Sequence, residues 1–263
     1  MATVDRRAIV VGISGCSSSG KTTLARLLRD VFPNSFILHE DDFYKNDKDI
    51  PISVDGLADW DCAEALSLPD MEKALLHIRT QGTLPPSLFS KEDQNSVGNC
   101  PVPDAAIEAQ KAKVQAWLQP GQPGNKLVRG GGGGNTLRIC FFDGFLLYSE
   151  KTRASMELID VRLFLRVSHA KATQRREARD GYVTLEGFWK DPPGYVDKIV
   201  WPNYVEAHKW LFDNGDVEGT PNKATLEANG ILTQLDKGID IDMLTTLEWA
   251  VDTLIRELEN KYL

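Results

Sequence analysis

The chain has no basic surplus, no paired cysteines and no long apolar run. Its 263 residues carry 30 Lys and Arg against 38 Asp and Glu, for a formal net charge of −8. That balance argues against a dedicated nucleic-acid binder, whose phosphate contacts call for a cationic face. Cysteines stand only at 16, 62, 100 and 140. None sits in a C-x-x-C pair or has the histidine spacing of a zinc site. Unpaired thiols fit a reducing compartment. The apolar run before Ser14 is too short for a signal-peptide core or a membrane span, and no later run is longer. A soluble, cytoplasmic protein is therefore expected, with no membrane or nucleic-acid partner; a protein partner cannot be inferred.

With 42% hydrophobic residues the chain has enough apolar material for one large α/β domain, expected to span 1–263. "AIVVGI" (8–13) is a β-branched run suited to a strand buried on both faces. "KTTLARLLRDVF" (21–32) follows with Leu24, Leu27, Leu28 and Val31 at helical spacing, and "FILH" (36–39) reads as the next strand. This order opens a parallel, doubly wound sheet. Further strands are expected at 137–143 and 159–167, and helices at 70–78, 201–212 and 243–258. Residues 79–136 interrupt the rhythm. One amphipathic helix is expected at 104–118, while "QPGQPGNKLVRGGGGGN" (119–135) reads as a flexible Gly/Pro-rich tether within a tolerated surface insertion. No internal repeat is evident.

"GCSSSGKT" (15–22) satisfies G-x-x-x-x-G-K-[ST] and lies between a predicted strand and a predicted helix, the context that motif requires. Its glycines let backbone N–H groups converge on phosphate oxygens, aided by the positive end of the helix. ATP binding is expected at Gly15, Cys16, Ser17, Ser18, Ser19, Gly20, Lys21, Thr22 and Thr23. Lys21 is placed on the β- and γ-phosphates and Thr22 on Mg²⁺, with Asp143, at the end of "ICFFD", as the acidic metal ligand. A guanine-nucleotide switch would carry N-K-x-D; neither Asn125–Lys126 nor Asn222–Lys223 continues so. A kinase acting on a small acceptor fits better.

Two features support that reading. "QRREARDGY" (174–182) concentrates Arg175, Arg176 and Arg179 on a short helix with Ser168 at its N-cap, a basic lid over phosphates in an acidic chain. "FILHEDDFYK" ends a strand in three carboxylates, where an α/β sheet presents its ligand crevice. An acid there can take the proton of an acceptor hydroxyl, and Asp41 is the chosen base. Asp42 is a cap or supporting group, and Glu40 faces elsewhere.

The set "GISGCSSSGKTTLA", "EDDFYK", "DWDCAEAL", "FFDGFLL", "RRE" and "DPPGYVDKIVWPNY" resembles the nicotinamide riboside kinases, within the uridine-kinase-like P-loop kinases. The likeness covers 8–78, 137–210 and, more weakly, the C-terminal strand and helix. It implies a P-loop kinase with a five-stranded parallel sheet flanked by helices and a lid and substrate-binding segment over 168–195. It implies ATP-dependent phosphorylation of nicotinamide riboside at its 5′-hydroxyl, with Mg²⁺; a uridine/cytidine kinase or a non-enzymatic nucleotide-binding regulator are the alternatives. Carried over residue by residue, Asp41 matches the proton acceptor, with Asp42, Phe43 and Tyr44 beside it in the substrate pocket. Trp60 falls where an aromatic stacks on the pyridine ring, and Asp61 where an acid holds the ribose hydroxyls. Arg176 matches a ribose- or phosphate-contacting arginine, and Arg175 and Arg179 fall among the ATP contacts. Tyr182 is the first choice for the opposing ring, before Phe188 and Trp189, and Asp191 lies near the substrate. Trp60 stands where Tyr is usual and Asp143 where Glu is also common, and the lid stretch is longer than the family's.

Overall fold

A computed structural model of the chain describes residues 6–91, 95, 98–129, 137–179, 181–184 and 187–262. The first strand, β1 (Ala8–Gly15), is buried along its whole length, as its unbroken apolar sequence predicts. α1 (Lys21–Val31) and β2 (Ser35–His39) follow, then α2 (Leu68–Gln81), α3 (Asp104–Trp117), α4 (Pro123–Arg129) and β3 (Arg138–Gly144). α5 (Arg153–Glu157) leads to β4 (Val161–Leu165), and α6 (His169–Glu177) to a short antiparallel hairpin of β5 (Tyr182–Val183) and β6 (Phe188–Trp189). α7 (Trp201–His208), α8 (Lys223–Ala228), β7 (Ile231–Leu232) and α9 (Met243–Tyr262) complete the chain.

The main sheet has five strands in the order β2-β3-β1-β4-β7, and every pairing in it is parallel. Successive residues of β1 face opposite sides, so the two faces carry separate cores. Ala8 and Val10 pack with Met71, Leu75 and Ile78 of α2 and Tyr204 of α7. Ile9, Val11 and Ile13 pack with Leu24 and Leu28 of α1 and Leu247, Val251 and Leu254 of α9. This is a doubly wound α/β sheet, and parallel pairing brings the ends of β1, β2 and β3 to one edge. Among the described residues no helix is long and apolar enough to cross a membrane.

The expected strands and helices are present, with shifted bounds. Pro69 lies in the first turn of α2, and Ser168 caps α6 by accepting the Lys171 N–H at 3.2 Å. Residues 201–212 begin as α7 and finish in a 3₁₀ turn at Lys209–Leu211.

The segment expected to be a tether is partly a packed helix. Residues 123–129 form α4, started by Pro123 where its missing N–H costs nothing. Leu127 packs on the same core as α9, and Asn125 donates to the Leu118 carbonyl at 2.7 Å. α3 is more deeply embedded: Val114 is fully buried, and Trp117 packs against the core while its Nε1–H donates to Glu259 at 2.7 Å. Apolar contact with α1 and α9 organises this region, and the local Gly/Pro content gave no sign of it. The glycine run from 130 onward in the expected tether lies outside the described residues.

Trp117→Ala should therefore destabilise the protein by about 3–5 kcal/mol, the usual cost of emptying a buried aromatic site. Urea denaturation checks this; a midpoint equal to that of the unsubstituted chain would show that α3 contributes no core.

Candidate active site

Between β1 and α1 the backbone turns sharply. Gly15 has φ +146°, and a Cβ there would lie 2.3 Å from the Leu165 carbonyl oxygen, so the closeness of β4 requires glycine. Gly20, at φ +100°, is the N-cap of α1. Lys21 is 8% exposed and its ammonium donates to the Cys16 carbonyl at 2.9 Å, folding the loop over itself. Burial pulls its pKa down, while Asp143 opposes that shift. Ser17, Ser18, Gly20, Lys21, Thr22 and Thr23 line one cleft. Cys16 and Ser19 do not; they are buried beside smaller cavities behind the loop. Burial pushes the Cys16 thiol up to about 12, which leaves it inert.

The three carboxylates after β2 go three ways. Glu40 is fully buried, and its Oε2 accepts the Leu146 N–H at 3.0 Å, tying the end of β2 to the loop after β3. Asp41 lies on the cleft wall with Lys21 and Thr22. Asp42 accepts from the Ser90 hydroxyl at 3.1 Å and the Lys91 N–H at 2.6 Å, so it fastens the segment after α2 instead of lining the cleft. Phe43, expected in the substrate pocket, is a core residue with 5% exposure. Tyr44 does reach the cleft.

Asp143, the next-to-last residue of β3, lies opposite His39 in the β2–β3 register. Its Oδ2 accepts the Thr22 hydroxyl at 2.5 Å and its Oδ1 meets His39 Nδ1 at 2.5 Å. Burial alone would raise the Asp143 carboxyl. His39, by charge and hydrogen bond, together with the Thr22 hydroxyl and Lys21, holds it below the ordinary carboxylate range.

Arg176 on α6 is the hub of the lid. Only 7% exposed, it donates to Asp61 at 3.1 and 3.2 Å, to Asp191 at 2.6 and 3.2 Å, and to the Ser17 hydroxyl at 2.7 Å. Burial alone would lower its pKa, but Asp61, Tyr182 and Asp191 raise it well above the ordinary value. Burial raises the Asp61 carboxyl, against the pull of Arg176. Arg179 lines the cleft and donates to the Tyr182 hydroxyl at 3.2 Å. Arg175 is not on the cleft wall; its guanidinium braces the phosphate-binding loop by donating to the Ser18 carbonyl at 3.2 Å. Asp191 borders an adjoining groove.

The aromatic wall differs from expectation. Trp60 lines the cleft but is only 6% exposed, and it packs into the core with Tyr44 edge-on at 5.2 Å. The lid ring in contact with it is Trp189, at 5.8 Å and 48°, oriented by its Nε1–H donating to Asp191 at 2.9 Å. Tyr182, the first choice from sequence, lies instead against the guanidinium groups of Arg176 and Arg179, at 5.1 and 5.4 Å. Phe188 is 61% exposed and not on the cleft wall. The Tyr182 ring is held by the two guanidinium groups through cation–π contact, and Trp189 is the hairpin ring that reaches Trp60.

The cleft is open to solvent, with the phosphate loop at one end and Trp60, Asp61, Tyr182 and Trp189 lining the rest. Sequence reasoning missed His39, Phe145, Lys91 and Asn95, of which the last three line the cleft. His39 was discoverable, because two parallel strands ending at one edge place their last residues side by side. Lys91 and Asn95 carry no motif. They reach the cleft because Asp42 fastens Lys91 and Asn95 accepts the Val183 N–H at 2.7 Å.

A phosphate-binding loop, an acid at the neighbouring strand end and an arginine-rich lid on a five-stranded parallel sheet define a P-loop kinase for small molecules. Comparison with known proteins narrows the class. The chain is 38% identical to nicotinamide riboside kinase of Schizosaccharomyces pombe, over 97% of this chain and 99% of that protein. It is 35% identical to the nicotinamide riboside kinase of Eremothecium gossypii, over 81% of each chain. To that of Saccharomyces cerevisiae it is 34% identical, over 81% of this chain and 83% of that one. No family model matches the chain. The chain belongs to the nicotinamide riboside kinase family.

Burial pushes the Glu40 carboxyl up to about 8, against the Leu146 N–H bond that favours its charged form. A raised acid in the folded state stabilises below its unfolded value of 4.5, and that contribution is lost as pH rises toward about 8. The urea midpoint should fall across this window, and Glu40→Gln should flatten the fall. An unchanged slope in the variant would show that Glu40 is ionised in the folded protein.

Proposed function

We propose that the protein transfers the γ-phosphoryl group of ATP to the 5′-hydroxyl of nicotinamide riboside, and also of nicotinic acid riboside, giving the mononucleotide for NAD salvage. The observation that carries this reading is the placing of Asp41 on the wall of one cleft that has the phosphate loop at one end and an aromatic and acidic nucleoside wall beside it. Membership of the family supports the choice of substrate over the uridine/cytidine and regulator readings.

Chemically, the riboside hydroxyl oxygen forms a bond to the γ-phosphorus as the bond to the ADP oxygen breaks, and Asp41 accepts the hydroxyl proton. Lys21 and the loop N–H groups bind the β- and γ-phosphates, and Arg179 closes over the transferring charge. Thr22 and Asp143 would hold Mg²⁺, which supplies neutralisation of phosphate charge. Their arrangement fits it: the Thr22 proton is directed at Asp143 Oδ2, leaving hydroxyl lone pairs for a hard cation that needs few protein donors. Asp61, anchored by Arg176, holds the ribose hydroxyls. Two carboxylates, Asp61 and Asp191, face the single guanidinium of Arg176, a balance that suits a pyridinium cation.

The base lies against Trp60, with Trp189 as the second ring. A ring between two others needs about 7 Å, twice the ~3.5 Å contact distance. The present 5.8 Å requires the β5–β6 hairpin to move outward on binding. All four cysteines are unpaired, which fits a reducing compartment, and we place the reaction in the cytoplasm.

Phosphorus NMR of the protein with ATP and nicotinamide riboside tests the reaction through the riboside monophosphate signal. Asp41→Ala should lower kcat by about two to four orders of magnitude with little change in the KM for ATP. Asp42→Ala should cost less, because its carboxylate fastens Ser90 and Lys91. Greater damage from Asp42→Ala would reverse the assignment.

Trp189→Ala should raise the KM for the riboside about tenfold, the loss of one cation–π face of up to ~2 kcal/mol, with the KM for ATP little changed. Steady-state kinetics beside Tyr182→Ala decides between the rings; a larger riboside effect from Tyr182→Ala would restore Tyr182 as the opposing ring.

A further inference from the structure

His39 is a buried, ionisable side chain with no part in the reaction as derived above. It is 3% exposed at the last position of β2, paired in register with Asp143 of β3. Its Nδ1 lies 2.5 Å from Asp143 Oδ1, while the other oxygen of the same carboxylate accepts the Thr22 hydroxyl. The three side chains come from β2, β3 and α1 and form one continuous run of hydrogen bonds that ends at the phosphate loop.

The direction of these bonds matters. A carboxylate has only acceptors, so both neighbours donate to it: His39 through Nδ1–H and Thr22 through Oγ1–H. A hydroxyl has one proton and two lone pairs. With its proton fixed on Asp143, the Thr22 oxygen can offer only lone pairs to anything else that approaches. A carboxylate free to rotate about its χ2 would not keep an oxygen on that proton. Held at Oδ1, it does.

We propose that His39 is a positioning residue that fixes the Asp143 carboxylate, and through it aims the lone pairs of Thr22 at the divalent cation accompanying the nucleotide. This rests on Thr22 being a cation ligand, as proposed above. The residue would act without touching nucleotide, cation or riboside. Its effect belongs to cation binding and not to nucleotide binding: the loop N–H groups and Lys21 hold phosphate whichever way the Thr22 proton points.

Mn²⁺ can serve as the probe, titrated into the full chain at saturating ADP and followed by electron paramagnetic resonance, with ADP affinity measured separately in the presence of EDTA. His39→Ala should weaken Mn²⁺ binding in the ternary complex by about 10–100-fold, the usual consequence of losing a group that orients a ligand. Metal-free ADP affinity should stay within about threefold of the unsubstituted value. His39→Asn, whose amide N–H₂ reaches nearly the place of Nδ1–H, should recover most of the loss, whereas the longer His39→Gln should not. If His39→Ala fails to fold, the Asn and Gln variants decide, since the inference requires them to differ. Unchanged Mn²⁺ binding in His39→Ala would overturn it, as would equal losses of Mn²⁺ and metal-free ADP affinity, or equal behaviour of the Asn and Gln variants. An unsubstituted protein that holds no Mn²⁺ with ADP would instead overturn the cation reading itself, and this inference with it.

Discussion

A guanidinium taken out of water is tolerated only where its donors are matched, and Arg176 has two carboxylates and a hydroxyl around it. Each partner belongs to a different stretch of chain. Ser17 is in the phosphate-binding loop, Asp61 follows Trp60, and Asp191 precedes the turn into α7. One charge therefore sets the distance between the phosphate end of the cleft and its nucleoside wall. The pair also orients the aromatics, because Asp191 accepts from Trp189 Nε1 as well as from Arg176. Loss of the guanidinium would leave Asp61 buried without its ion-pair partner, which costs far more than a surface pair is worth.

The second constraint is the alignment of strand ends. Parallel pairing brings Ser14 beside Gly144 and His39 beside Asp143, so β1, β2 and β3 deliver their last residues to one edge. Charge that would be unfavourable in a row along one segment is separated by the 3₁₀ turn at Glu40–Phe43. Glu40 turns inward onto the Leu146 N–H, Asp41 faces the cleft and Asp42 turns to the segment after α2. Three adjacent acids thus do three different jobs: a buried clamp, a cleft acid and a tie.

Much of this was legible in the sequence where local chemistry decides the outcome. The phosphate loop, the strands around it and the N-cap at Ser168 follow from spacing, glycine requirement and capping preference. What was not legible depends on distant partners. Trp117 and Leu127 read as parts of an insertion because nothing nearby reveals that α1 and α9 leave apolar surface for them. Phe43 directly follows two acids, Asp41 and Asp42, yet turns into the core. Nor does the sequence show that Tyr182 lies against the guanidinium groups of Arg176 and Arg179 while Trp189 meets Trp60, because those contacts form only in three dimensions.

On the function proposed above, a wall of aromatic rings and surplus carboxylate, joined to the phosphate loop through Arg176, selects a riboside with a cationic base. Specificity constants for nicotinamide riboside and uridine, measured side by side at saturating ATP, test it most directly. The two acceptors share a ribose 5′-hydroxyl and differ chiefly in the charge of the base. The ratio kcat/KM should favour nicotinamide riboside by about tenfold or more, the ratio that ~1.4 kcal/mol of differential binding supplies. Equal values, or a preference for uridine, would contradict it.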